Sequence, residues 1–173
     1  KNIVIGAMGR FVTKKGFDLL IQAIQLYKGN KKVKLLIAGD GPLMQSYKGL
    51  IKNNKNIQLL GWVKDKESFF SKIDIFCSPS KIEPFGIVIL EAMARGIPVI
   101  STRCHGPLDI IENNKNGILI NINNVNEMKS AIDLLKNNAE IRKNISKNGL
   151  DTIKYKYTIE TYKKNLFSLL TDV

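Results

Sequence analysis

Glu83-Pro84-Phe85-Gly86-Ile87-Val88-Ile89-Leu90-Glu91 is the stretch from which the fold can be read. The apolar run Ile73-Asp74-Ile75-Phe76-Cys77 precedes it and reads as a buried parallel strand. Ser78-Pro79-Ser80 ends that strand. From Gly86 the pattern turns helical, with Ile87, Leu90, Met93 and Ala94 expected on one buried face. Glu83 then lies in a loop at the carboxyl end of a strand, and Glu91 lies early in the next helix. In an open α/β sheet that is where ligands bind. A helix start at Gly86 leaves the N–H groups of Phe85, Gly86 and Ile87 unpaired, at the positive end of the helix dipole. Ionised carboxylates at Glu83 and Glu91 suit a hydroxyl-rich ligand, because each accepts from two hydroxyls at once. Gly86 lets a ligand approach the backbone. Two carboxylates eight apart are also what a solvated loop and a first helical turn produce, so the surrounding chain has to decide.

Strand and helix alternate on both sides of this stretch. Asn2 to Met8 reads as a strand, followed by a glycine-bearing loop from Gly9 to Gly16. Phe17, Leu20, Ile21, Ile24 and Tyr27 then mark an amphipathic helix closed by Gly29-Asn30. Arg10 and Lys15 flank that loop. Arginine forks two phosphate oxygens and lysine adds a point charge. Neither the P-loop nor the dinucleotide glycine pattern is present. Val33 to Ala38 is the second strand, and Gly39-Asp40-Gly41-Pro42 turns it into a helix with Pro42 at the first helical position. Asp40 reads as a turn and capping residue. Ile57 to Leu60 is the third strand; Trp62 is assigned to the core, and the Val63 backbone stands where it can border a nucleobase. The short helix after it is capped by Asp65 or a near neighbour.

Gly96 to Ser101 reads as the fifth strand, entered by a tight turn, and Ile118 to Ile120 as the sixth. Cys104-His105-Gly106-Pro107-Leu108-Asp109 leads a short helix between them. His105 is read as a loop residue, since no nucleophile pattern accompanies it. Helices follow around Val125–Leu135, Ile141–Leu150 and Ile159–Leu169. Six strands read as continuous apolar runs, each followed by a helix. Together they predict an α/β three-layer sandwich with a mostly six-stranded parallel sheet covered on both faces.

The chain has 173 residues, enough for one domain with a full core. No apolar run approaches the roughly 20 residues of a membrane span. Lys1 leads straight into a strand, as expected of a domain cut from a longer chain. Cys77 and Cys104 suit a reducing cytosol, and a single histidine with no paired cysteines argues against zinc. The net charge of +12 fits a polyanionic ligand, an anionic membrane face or nucleic acid. Lysine and asparagine crowd the turns, as in proteins of AT-rich genomes. Aromatics alternate with lysine only at Lys154-Tyr155-Lys156-Tyr157, too few for a nucleic-acid stacking platform. Composition and a weak membrane attraction are therefore preferred over nucleic acid.

With these residues on the page, the chain resembles the C-terminal, nucleotide-sugar-binding half of a retaining GT-B glycosyltransferase of family 4. The resemblance covers essentially the whole chain. It rests on Gly9-Arg10 with Lys15-Gly16, Ala38 to Pro42, Leu60-Gly61-Trp62-Val63, Ser80 to Ala94, Gly96 to Ile100, and Gly106 to Ile111 with Asn116-Gly117. It implies a Rossmann-like domain in which Arg10 and Lys15 hold the donor diphosphate and stabilise the leaving charge. Glu83 would bind the transferred sugar beside the N–H groups of Phe85 and Gly86. The Ile87 N–H would meet a phosphate, Glu91 the ribose hydroxyls, and Val63 the base, with Gly9 in the donor loop. No cofactor or metal is implied, only a nucleotide-sugar donor. The Cys104-His105-Gly106-Pro107 loop points to a UDP-hexose or UDP-N-acetylhexosamine; Asp109 stands where the family usually has Glu. The acceptor, a glycan or a lipid-linked one, would lie on an N-terminal domain, against which residues 158–173 would pack. The implied location is cytoplasmic, peripheral to the inner face of the plasma membrane. Two other classes stay open. One is another GT-B sugar-nucleotide enzyme, an epimerase or a glycogen-synthase-like polymeriser. The other is a non-catalytic polyanion-binding module.

Overall fold

The computed structural model describes residues 2–27, 32–52, 54–163 and 167. Six strands form one parallel sheet: β1 (Ile3–Met8), β2 (Val33–Ala38), β3 (Ile57–Gly61), β4 (Ile75–Ser78), β5 (Val99–Thr102) and β6 (Ile118–Ile120). Their order across the sheet is β3-β2-β1-β4-β5-β6, so the winding reverses between β1 and β4. Helices cover it: α1 (Phe17–Gln25), α2 (Met44–Ile51), α3 (Lys66–Phe70), α4 (Ile87–Met93), α5 (His105–Ile110), α6 (Val125–Asn137) and α7 (Ala139–Lys156). This is the three-layer, Rossmann-like arrangement that the alternation predicts.

The pleat sorts the strand residues to two cores. Ile3, Ile5, Ala7, Val33, Leu35 and Ile37 face one layer with Leu20 and Ile24 of α1 and Ile132 and Leu135 of α6. Phe76, Val99 and Leu119 face the other with Phe69 of α3, Ile89 and Met93 of α4 and Ile110 of α5. Successive side chains leave a strand on opposite faces, so strands buried on both sides must be apolar throughout.

Several boundaries differ from the sequence reading. Helix α1 ends at Gln25, because the Tyr27 N–H turns back to Ile24 O at 3.0 Å; Tyr27 is still buried. Gly29-Asn30 lies outside the described residues. Pro42 does not open α2, which starts at Met44. The Gly39–Leu43 turn is instead fastened to the first loop, where Leu43 N–H donates to Phe11 O at 3.1 Å. The fifth strand begins at Val99 rather than Gly96. Gly96, at φ 66°, closes α4 with Gly96 N–H to Met93 O and Ile97 N–H to Ala92 O, a Schellman stop. His105 is the exposed first residue of α5, not a loop residue. The helix expected at Ile141 runs from Ala139 to Lys156.

Two face assignments also change. In α4 the buried residues are Ile89, Ala92 and Met93, while Ile87 is 62% exposed and Ala94 is exposed. An unbroken Ile-Val-Ile-Leu run offers two apolar faces, and the left-handed Gly86 cap (φ 99°) selects between them. Trp62 is not in the core: it is 76% exposed. It follows Gly61, which ends β3 at φ 70° and turns the chain off the sheet. Residues 159–163 and 167 are helical; the rest of the 164–173 stretch lies outside the described residues.

Candidate functional site

The loops after β1 and β4 meet at the switch point. Phe11 anchors the first loop, fully buried with its ring edge-on to Phe17 and Tyr47 at 5.5 and 5.3 Å. Close backbone stitching holds the loop down: Gly9 N–H donates to Ala38 O at 3.0 Å and Phe11 N–H to Asp40 O at 2.8 Å. Gly39 permits this, since a Cβ there would stand 1.8 Å from Gly9 O. Arg10, between the stitched residues, is exposed and has no ion-pair partner among the described residues. A single 3-10 turn, Thr13–Lys15, then brings Lys15 inward.

The β4–α4 loop runs alongside. Lys81 N–H donates to Lys14 O at 2.7 Å, and Gly16 packs so tightly beneath Pro79 that a Cβ would lie 2.2 Å from Pro79 O. This contact closes an ion pair between Lys15 Nζ and Glu83 Oε2 across the switch point. Ser80 Oγ lies 3.4 Å from the same carboxylate oxygen. Beyond it, the first α4 N–H groups point off the helix end. Ile89 donates back to Gly86 O at 2.8 Å, and those of Phe85, Gly86 and Ile87 have no acceptor among the described residues. Phe85 is half exposed, and its ring meets Tyr157 of the α7 terminus at 6.5 Å.

Glu91 lies one turn further along. Its Oε1 accepts from Lys66 Nζ at 2.6 Å, and its Oε2 is buried with no hydrogen-bond partner among the described residues. Arg95 Nη1 donates to Glu91 O at 2.7 Å and so fixes the turn. A cavity of about 430 Å³ opens beside α4, lined by Gly9, Arg10, Trp62, Val63, Lys66 and Val88 among others. It lies over the carboxyl ends of β1, β2 and β3. A larger cavity, about 530 Å³, opens at the opposite end of the sheet near Asp74, Pro98 and Arg142 and contains none of the expected site residues.

The structure thus brings every expected residue to one edge of the sheet. Gly9, Arg10 and Val63 line the cavity; Lys15 and Glu83 pair beside it; Phe85, Gly86 and Ile87 form the open helix end; Glu91 borders it through Lys66. Lys66 and Trp62 were not read as site residues. Trp62 carried a signal, an aromatic directly after a strand-ending glycine. Lys66 carried none, because its partner is 25 residues away. Among the described residues no group of three or more His, Cys, Asp or Glu is placed to hold a metal ion.

Chemically, the edge offers the cations Arg10, Lys15, Lys64 and Lys66, N–H groups and two carboxylates around an open cavity. Cations and N–H groups receive phosphate oxygens, and carboxylates receive hydroxyls. Fold and site together define an α/β domain whose strand ends carry groups suited to phosphate and hydroxyl oxygens. The chain belongs to the glycosyl transferases group 1 family, whose model matches residues 1–152. It is 31% identical over 172 residues to the lipopolysaccharide core biosynthesis glycosyltransferase LpsE of Rhizobium meliloti (strain 1021), covering 98% of this chain and 50% of LpsE. The solved C-terminal domain of LpcC, a glycosyl transferase group 1 family protein from Francisella tularensis, superposes with a TM-score of 0.83 at 28% identity. That match covers 91% of this chain and 87% of the domain. A mutant of S. aureus TarM, solved with Fondaparinux, alpha-GlcNAc-glycerol and UDP, superposes with a TM-score of 0.89 at 29% identity, over 97% of this chain and 35% of TarM. The chain therefore spans half of LpsE and about a third of TarM. The six-stranded parallel sheet is that of GT-B enzymes.

Proposed function

We propose that this chain is a single donor-binding domain, residues 1–173, of a retaining, metal-independent hexosyl- or N-acetylhexosaminyltransferase. The observation that carries the reading is the Lys15–Glu83 ion pair bridging the two loops of the switch point. A nucleotide sugar placed along this edge meets each group in turn. Val63 borders the base. Glu91 accepts from the ribose hydroxyls, using the oxygen that has no partner among the described residues. Arg10, Lys15 and the Ile87 N–H take the diphosphate. Glu83, with the N–H groups of Phe85 and Gly86, takes the transferred sugar. As the bond to the sugar breaks, negative charge grows on the diphosphate, and fixed cations there stabilise the transition state more than the ground state. That charge is met by side chains and N–H groups, so the reading assigns no metal and no cofactor.

The donor is a UDP-sugar in this reading, supported by the UDP held by TarM at 29% identity. The product belongs to cell-surface polysaccharide or lipopolysaccharide, in line with the LpsE relationship. A glycan or lipid-linked acceptor binds on a second, N-terminal domain, and residues 158–173 pack toward that domain. The enzyme works in the cytoplasm, at the inner face of the plasma membrane, where its positive charge favours anionic lipid. It does not bind nucleic acid. Among the described residues no helix is long and apolar enough to cross a membrane.

Isothermal titration with UDP, GDP and ADP tests the reading, with Glu91→Ala as control. UDP binds best, and the control weakens it by about 1–3 kcal/mol, the scale for losing a charged hydrogen-bond partner. Equal binding of all three, abolished by salt, would reduce the site to a basic patch. Sugar transfer is expected only when the chain is joined to its acceptor-binding half; robust transfer by this chain alone would contradict the two-domain assignment.

A further inference from the structure

The loop that carries Glu83 is held from behind by buried polar groups to which the donor reading gives no task. Ser80, Ser101 and Thr102 are 2%, 0% and 0% exposed; Ser80 lies just past the carboxyl end of β4, and Ser101 and Thr102 end the neighbouring strand β5. Their hydrogen bonds converge on one segment. Thr102 Oγ1 donates to Ser80 O, and Cys104 Sγ reaches the same carbonyl at 3.5 Å. Ser101 Oγ donates to Ser78 O at 3.1 Å, and Gly106 N–H to Glu83 O at 2.9 Å. Ser80 Oγ then meets Glu83 Oε2. Gly106 packs against the Phe85 backbone so closely that a Cβ would lie 2.2 Å from Phe85 O. Buried hydroxyls are costly unless paired. A core needing only volume at position 102 would take valine, which has nearly the same shape and no polar group.

We infer that Thr102 is a positioning residue: with Cys104 it fixes the Ser80 carbonyl, and through Ser80 it sets the Glu83 carboxylate where the transferred sugar's hydroxyls arrive. The inference rests on the donor-domain reading above. The Ser80 carbonyl accepts from Thr102 at the end of β5 and from Cys104 just beyond it, so the backbone from which the Ser80 hydroxyl reaches Glu83 is held in place by buried bonds. Lys15 holds the same carboxylate oxygen from the β1 side. The carboxylate is therefore fixed from two directions, which suits a group that must meet hydroxyls at defined angles.

The test measures what the sugar adds to affinity. UDP, UDP-glucose and UDP-N-acetylglucosamine are titrated into the wild-type chain and into Thr102→Val, Thr102→Ser, Ser80→Ala and Glu83→Gln. The readout is the ratio of the UDP dissociation constant to that of the tighter UDP-sugar. Thr102→Val is expected to lower this ratio about three- to ten-fold, as for one buried hydrogen bond, and to leave UDP affinity unchanged. Thr102→Ser, which keeps the hydroxyl, restores the ratio. If Thr102→Val weakens UDP and UDP-sugar alike, or lowers only the melting temperature, Thr102 is merely structural and the inference is overturned. Should Thr102→Val fail to fold, Ser80→Ala breaks the last link alone, and an unchanged ratio there overturns it equally. A ratio that falls in Glu83→Gln but not in the Thr102 or Ser80 variants sinks only this inference. If the sugar adds nothing in the wild type, or Glu83→Gln leaves the ratio intact, or UDP does not bind, the donor reading fails and the inference goes with it.

Discussion

Glycine marks the residues on which the site depends, because the loops approach each other more closely than any side chain allows. Gly39 has a φ of 145° and would place a Cβ 1.8 Å from Gly9 O. Replacing it with alanine strains the backbone and pushes the Arg10 loop outward, so Gly39→Ala is expected to cost about 2–4 kcal/mol in a denaturant melt. Gly49 gives the opposite result. It lies exposed in α2 with nothing within 4 Å of a built Cβ. Gly49→Ala should stabilise by about 0.5–1 kcal/mol, since alanine loses less chain entropy in a helix. Residues of this kind were partly legible in the sequence. Glu83, Gly86 and Glu91 are tied to a local event, a strand ending and a helix beginning, and local patterns report such events. Ser80 and Lys66 act through partners brought in by the fold. Trp62 was misassigned because a lone tryptophan is usually buried, whereas Gly61 turns it out of the sheet and onto the cavity rim.

At the scale of elements, strands were easier to read than helix faces. Val33–Ala38 and Ile118–Ile120 match the sequence reading residue for residue, because each is an apolar run bounded by polar residues or glycine, with only the exposed Lys34 interrupting the first. Asp65 caps α3 as expected, accepting from Ser68 N–H at 3.0 Å. The face of α4 was illegible because its apolar run satisfies more than one helical phase. The contact between α1 and α6 could not be read either, since it joins residues a hundred positions apart. Tyr27 OH donates to Asp133 Oδ1 at 2.8 Å, and Lys129 and Lys136 pair with the same carboxylate at 2.6 and 3.1 Å. Burial opposes ionisation of Asp133, but the hydrogen bonds from Lys129, Tyr27 and Lys136 outweigh it and hold the carboxyl below its ordinary value. A carboxyl depressed in the folded state adds stability above its unfolded pKa of about 3.9 and loses it as pH falls through the lower folded value. Thermal melts should therefore show Asp133→Asn less stable than wild type at pH 6–7. The gap should begin to close below about pH 4 and be gone in strong acid. A gap that stays constant across that range would show that the carboxylate charge contributes nothing to the α1–α6 contact.

For the molecule as a whole, the net charge of +12 competes with the built site as an explanation for any anion binding. The two differ in how they respond to salt and to ligand shape. A diffuse positive field is screened over about 10 Å at 0.1 M salt and attracts any polyanion in proportion to charge. The site edge is not uniformly positive: Glu83 and Glu91 stand among Lys15, Lys66 and Arg10, and both carboxylates repel a bare anion. On the proposed donor reading they favour a ligand that brings hydroxyls along with its phosphates. UDP carries a ribose and inorganic pyrophosphate does not, although both carry the diphosphate. Raising salt from about 0.05 to 0.5 M should weaken both ligands, because it shortens the Debye length. The advantage of UDP over pyrophosphate should survive, since it comes from short hydrogen bonds to Glu91 and from the apolar cavity wall at Val63 and Val88. Glu91→Ala should reduce that advantage at every salt concentration while raising, or leaving unchanged, the affinity for pyrophosphate. Titration calorimetry of the two ligands across the salt series measures this directly. If UDP and pyrophosphate converge to the same weak affinity as salt rises, net charge alone accounts for binding, and the carboxylates are surface residues.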